Sequence, residues 1–175
     1  AYEMGERKTA RRHLADHHAN NDVSGQCWLS YYRLAMDAGD LETLLRLGVA
    51  VDNRHNSRRW GEIHQTLRKE LQPAVKKLME EKDLAEDQAA YCEILHAELR
   101  DEDILDLIDA CQQFLAERKN SPYRPEVVMI RARLERTVSS DEELIELGDW
   151  LRQEAKEFED ENRRARALAL AGKYY

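Results

Sequence analysis

Four groupings of side chains in this chain have types and spacings that could do chemistry. His13 and His17 lie four residues apart, which puts two imidazoles on one face of a helix, where they could share a metal ion. His18 or Asp16 would have to complete the ligand set, and neither spacing is diagnostic. A solvated polar helix accounts for that segment better. Glu93-x-x-His96 is the helical half of a di-iron carboxylate site, which needs a second copy and two further inward glutamates. Glu62-Ile63-His64 has the wrong spacing to be that copy, so a surface or capping histidine is the favoured reading. Arg54, Arg58, Arg59, Arg68 and Lys69, with Trp60 and His64 among them, form a basic-aromatic cluster. It could dock an acidic peptide, a carboxylate terminus or a phosphate, although a solvated helix face is the commoner source of such a run. Trp28, Tyr31 and Tyr32 divide between inter-helix core and exposed anchors for a partner. No Gly-rich phosphate loop, nucleophile elbow or zinc-type cysteine pair is present. The expectation is therefore no cofactor, no metal and no catalysis.

The elements that would position these groups read as nine helices. The first covers about 3–20 and ends at the polar break Asn20 to Gly25. The second, about 25–38, carries Trp28, Tyr31, Tyr32, Leu34 and Ala35, and stops at Gly39-Asp40. The third covers about 41–52 and the fourth about 57–71. Pro73 is expected to open the fifth as its first residue. Asp83 with Glu86 reads as a capping box for the sixth, about 84–99, and Ser140 with Glu143 as another for the ninth. The seventh, about 102–118, has the cleanest stripe: Ile104, Leu107, Ile108, Cys111, Phe114 and Leu115. The eighth covers about 125–137; the ninth carries Leu144, Leu147, Leu151, Ala155 and Phe158. The tail beyond Glu159 has three courses open: to extend the ninth helix, to fray, or to pack on a neighbour.

Composition agrees. The chain has 175 residues with only seven Gly and three Pro, which favours helix throughout. A single domain of this size can bury roughly 70% of its unfolded surface without staples. No run approaches the ~18 apolar residues of a membrane span, and no signal-peptide pattern opens the chain. Cys27, Cys92 and Cys111 are an odd set without metal spacing; they read as small buried hydrophobes in a reducing, cytoplasmic setting. The net charge of −8 is unevenly spread: residues 1–78 hold 13 Lys/Arg against 10 Asp/Glu, and residues 79–175 hold 14 against 25. That polarity speaks against a nucleic-acid platform along the whole body and allows a basic partner on the C-terminal half.

Omitting the first helix, the elements pair into hairpins at 25–52, 57–82, 84–118 and 125–158, a pitch suited to a helical solenoid. The phrase Glu102-Asp-Ile-Leu-Asp-Leu107 is echoed by Glu142-Glu-Leu-Ile-Glu-Leu147, and Leu44-Leu-Arg-Leu-Gly48 by Leu144-Ile-Glu-Leu-Gly148. Trp28 with Gly39-Asp40 in the first hairpin, and Ala110-x3-Phe114 followed by Pro122 in the third, resemble the tetratricopeptide repeat. Tyr32 stands where that family has a small glycine, and no single hairpin carries both halves of the pattern. The resemblance implies peptide or protein binding in a groove, without cofactor or catalysis. Separately, Arg12-His13-x3-His17 resembles the arginine–polar–x3–histidine motif of the HEPN ribonucleases, and Arg59 to His64 a looser form. That resemblance implies metal-independent RNA cleavage by Arg12 and His17.

The sequence thus points to an all-α protein of stacked antiparallel helical hairpins, tetratricopeptide-like or an irregular bundle. It forms one helical domain, 1–175: an N-terminal helix in 1–24, four hairpins in 25–158 and a helical tail in 159–175. Its expected work is non-catalytic, as an adaptor, scaffold or chaperone-like module for a protein or peptide. Tyr31, Tyr32, Arg58, Arg59 and His64 are the expected contacts. A HEPN-like ribonuclease and a structural subunit with an apolar interface on the tail are the alternatives.

Overall fold

The computed structural model describes residues 33–35, 69, 71–80, 84–100 and 102–175. The chain is all-α: among the described residues all regular structure is helix. It divides into two compact units, Ala1–Leu78 and Met79–Tyr175. In the first, residues 33–35, 69 and 71–78 are helical, and Leu34, Ala35, Leu71, Val75 and Leu78 are buried. The last three recur at spacings of four and three, the signature of one buried helix face. Pro73 does not head its helix as expected, because Leu71 and Gln72 are already helical. Its missing N–H removes only the bond it would have given to the carbonyl of Lys69.

The second unit contains five helices: α1 (Glu86–Leu99), α2 (Ile104–Glu117), α3 (Arg124–Val138), α4 (Asp141–Lys156) and α5 (Glu161–Ala171). Their ends follow local chemistry. The Asp103 carboxylate accepts the N–H groups of Leu105 and Asp106 and caps α2. Ser140 and Glu143 form the expected capping box at α4: the Ser140 hydroxyl accepts the Glu143 N–H while the Glu143 carboxylate accepts the Ser140 N–H at 2.7 Å. That second bond holds the Glu143 carboxyl below the usual range. Asp160 caps α5, and Pro125 occupies the first turn of α3. At α1 the expectation fails. The N-cap is Ala85, not Asp83, and it offers no side-chain bond. Glu86 and Asp87 in the first turn complement the helix dipole instead.

Each of these helices packs on the next in sequence, most extensively α2 on α3 and α4 on α5. The tail takes the third of its courses. It breaks after Lys156, restarts at Glu161 and packs as α5 on α4. Ala167, Leu170, Ala171 and Tyr174 supply the stripe it buries. Side chains also link alternate helices. Tyr91 on α1 stacks on Tyr123, just ahead of α3, with ring centroids 4.8 Å apart. Glu98 on α1 pairs with Arg133 on α3, Arg163 on α5 with Glu126 on α3, and the Tyr174 hydroxyl donates to the carbonyl of Ala132 on α3.

The core is the set of apolar stripes read from the sequence, with edits. Leu107, Ile108, Cys111, Phe114 and Leu115 are buried as expected, while Ile104 at the head of the same stripe is exposed. Leu147, Leu151, Ala155 and Phe158 are buried, but Leu144 is only half-buried. In both cases the outlier lies in the first turn, before the helix reaches its neighbour. The sequence echo has a structural counterpart. Leu105 and Ile145 occupy equivalent exposed positions, and Leu107 and Leu147 equivalent buried ones.

Candidate functional site

The five residues expected to contact a partner, Tyr31, Tyr32, Arg58, Arg59 and His64, lie outside the described residues. So do Arg12, His13, His17, His18, Asp16, Cys27, Trp28, Trp60 and the Gly39-Asp40 turn. Within Met79–Tyr175 the structure offers a different site. An open groove of about 430 Å³ runs between α1 and α2.

Its construction follows from helical spacing. Ala90, Ile94 and Ala97 face it from α1, and Leu107, Ala110 and Phe114 from α2, with Met79 at one side. These positions recur every three or four residues, so each helix contributes one ridge. Ala90, Ala97 and Ala110 are the reason a gap exists: a methyl group stands where a larger side chain would fill the seam. Ile94, Leu107 and Phe114 are buried and form an apolar floor.

The rim is acidic. Glu93, Glu102, Asp106 and Glu117 line it, and all four are exposed. The basic side chains there are His96, half-buried, and Arg118. Arg118 is tied up within the protein, since its guanidinium bonds Glu86 at 3.0 Å, Asp87 at 3.4 Å and Glu117 at 2.9 Å. It also lies over the Phe114 ring and closes one end of the groove. The Gln113 amide and then Arg118 hold the Glu117 carboxyl below its usual range, so it stays charged.

Glu93 and His96, set aside as half of a di-iron motif, both line this groove. Among the described residues no three His, Cys, Asp or Glu side chains are grouped so as to hold a metal ion. Cys92 and Cys111 are buried free thiols, as expected. Burial pushes Cys92 up to about 11 and Cys111 up to about 12, so neither supplies thiolate near neutral pH. Ala110 and Phe114 of the repeat-like motif sit on the groove, and Pro122 is exposed in the link to α3.

The buried charges have structural work. Arg133 and Glu98 are both nearly enclosed. Burial pushes the Arg133 guanidinium down to about 10, still far above neutral pH, so it keeps its charge. Arg124 donates to the carbonyl of Leu115 at 2.8 Å and pairs with Glu154 at 2.7 Å, joining the end of α2, the start of α3 and α4. Arg131 stacks on Trp150, 4.2 Å from the ring centroid, and pairs with Glu135.

Sequence reasoning pointed to the acidic balance of residues 79–175 and named Glu93, Ile94, His96, Ala97, Glu102, Asp106, Leu107, Ala110 and Phe114, each for another reason and never as one site. The missed signal was the combination of Ala90, Ala97 and Ala110 on facing helices with the carboxylates that flank them. Among the described residues no helix is long and apolar enough to cross a membrane. Compared with known proteins, the chain matches no family model, no curated sequence and no solved structure.

Proposed function

We propose that this protein is a non-catalytic interaction module, an adaptor or scaffold that holds another protein on its helical surface. The observation that carries this reading is the groove between α1 and α2, with its apolar floor and four exposed carboxylates. Apolar surface supplies affinity on binding, and a rim of one sign steers and selects the partner. The same rim repels phosphate, which favours protein over nucleic acid. The stacking of each helix on its successor supports the reading, because such arrays present extended surfaces. The resemblance of Ala110-x3-Phe114 and Pro122 to the tetratricopeptide repeat points the same way.

Affinity capture from lysate with the purified chain, at low and high salt, tests this. The expected result is a stoichiometric protein partner that is released at high salt. Recovery of RNA, intact or cleaved, in place of protein would overturn the reading.

A further inference from the structure

We infer that the α1–α2 groove is the seat of a basic amphipathic helix from the partner, with one apolar stripe flanked by Lys or Arg. The inference rests on the adaptor reading and specifies its occupant.

Length comes first. The α2 edge of the groove runs from Asp106 to Glu117, about 16 Å at 1.5 Å per residue. That accommodates about three turns of a guest helix. Shape comes second. Both edges are α-helices, whose backbone N–H and C=O groups are used internally. No strand edge is offered, so a guest cannot add by main-chain pairing and must be read through side chains. A guest helix with apolar residues at i, i+3, i+4 and i+7 can lay them over the half-buried Ala90, Ala97 and Ala110 and beside the exposed Met79, with Ile94, Leu107 and Phe114 beneath. Charge comes third. Glu93 and Asp106 are exposed on opposite edges, and among the described residues neither is spent on an ion pair in the way Arg118 is. Lys or Arg on both flanks of the guest stripe would meet one carboxylate each side, whereas an acidic guest would meet like charge on both.

The test uses the whole chain and a defined probe. The probe is a fluorescein-labelled Leu/Lys peptide of about 14 residues, patterned as an amphipathic helix, followed by anisotropy. Its Leu/Glu counterpart is the comparison. The Leu/Lys peptide should bind saturably and the Leu/Glu peptide should not. The double variant Glu93→Lys/Asp106→Lys should weaken binding about tenfold or more. Glu157→Lys/Glu159→Lys makes the same change in net charge on exposed residues away from the groove and should stay within about threefold. Ala110→Phe fills the floor without altering charge and should also weaken binding. Far-ultraviolet circular dichroism checks that each variant is folded.

Equal losses in the two charge-reversed variants would overturn the inference, because charge anywhere would then suffice. So would binding of the Leu/Glu peptide, or no saturable binding of the Leu/Lys peptide. A lysate partner still captured by Glu93→Lys/Asp106→Lys would overturn this occupant while leaving the adaptor reading standing. Loss of every protein partner in the wild type would overturn both.

Discussion

The α1–α2 hairpin and the α3–α5 block are built from the same kind of helix but close their seams differently. Between α4 and α5, Leu151, Ala155, Ala167, Leu170 and Ala171 are buried, and Tyr174 fastens the end of α5 to the carbonyl of Ala132. Between α1 and α2, three alanines leave a trough that carboxylates border. Closure is thus a matter of which positions carry volume, and hydrophobicity as such does not decide it. The block invests its apolar surface in its own stability. The hairpin leaves part of its floor for something else. Five single substitutions and one double variant sharpen or break this contrast.

The largest effect is expected at the joint between the two regions. Arg133→Met removes the guanidinium that pairs with the nearly enclosed Glu98 carboxylate and should cost about 3–5 kcal/mol in urea denaturation. The double variant Arg133→Met/Glu98→Leu should recover most of that loss. A single-variant cost below about 1 kcal/mol would show that the joint is open to water. Next come two matched deletions. Ile130→Ala in α3, where the side chain is fully buried, should cost about 2–5 kcal/mol. Ile94→Ala on the groove floor should cost clearly less, because one side of the site already faces open space. The reverse order would erase the distinction between closed block and open hairpin.

Tyr174→Phe removes the hydroxyl that donates to Ala132 at 2.9 Å and should cost about 1 kcal/mol, read as a lower Tm. The smallest effect belongs to Gly148→Ala on α4. A methyl there would meet the outer edge of the Tyr175 ring at about 3.0 Å. That ring is 58% exposed and held by the Asp149 carboxylate and by stacking of Arg152, so it can move aside. Gain in helix propensity, about 0.5–1 kcal/mol, offsets the displaced contact. The variant should be neutral to slightly stabilised, with the change confined to the Tyr175 resonances.

Much of this architecture was legible because helices advertise themselves locally. The stripe Leu107, Ile108, Cys111, Phe114, Leu115 and the Ser140–Glu143 box each depend on residues within a turn or two. Asp83 misled because a capping signal states where a helix can begin, and Ala85 shows where it does. Pairing was harder. The expected hairpins do touch, as α1 with α2 and α3 with α4, yet the tighter contacts are α2 with α3 and α4 with α5. Which neighbour a two-sided helix favours depends on volumes matched across space, and the mixed-charge start of the tail hid the stripe ending at Tyr174. The groove was illegible for the same reason. An alanine reads as helix-forming in sequence, and only its opposite number decides whether it makes a close contact or a gap. The acidic balance of residues 79–175 marked the region without marking the residues.

The bond from Tyr174 to Ala132 spans 42 residues in a unit whose helices pack chiefly on their immediate successors. In terms of time, short-range packing lets a growing chain settle each helix soon after it is made. The middle of α3 also has a partner that comes much later. Its carbonyl at Ala132, already bonded within the helix, gains the Tyr174 hydroxyl as a second donor only after α4 and α5 have been made, which makes the docking of Tyr174 a late event in the assembly of this unit.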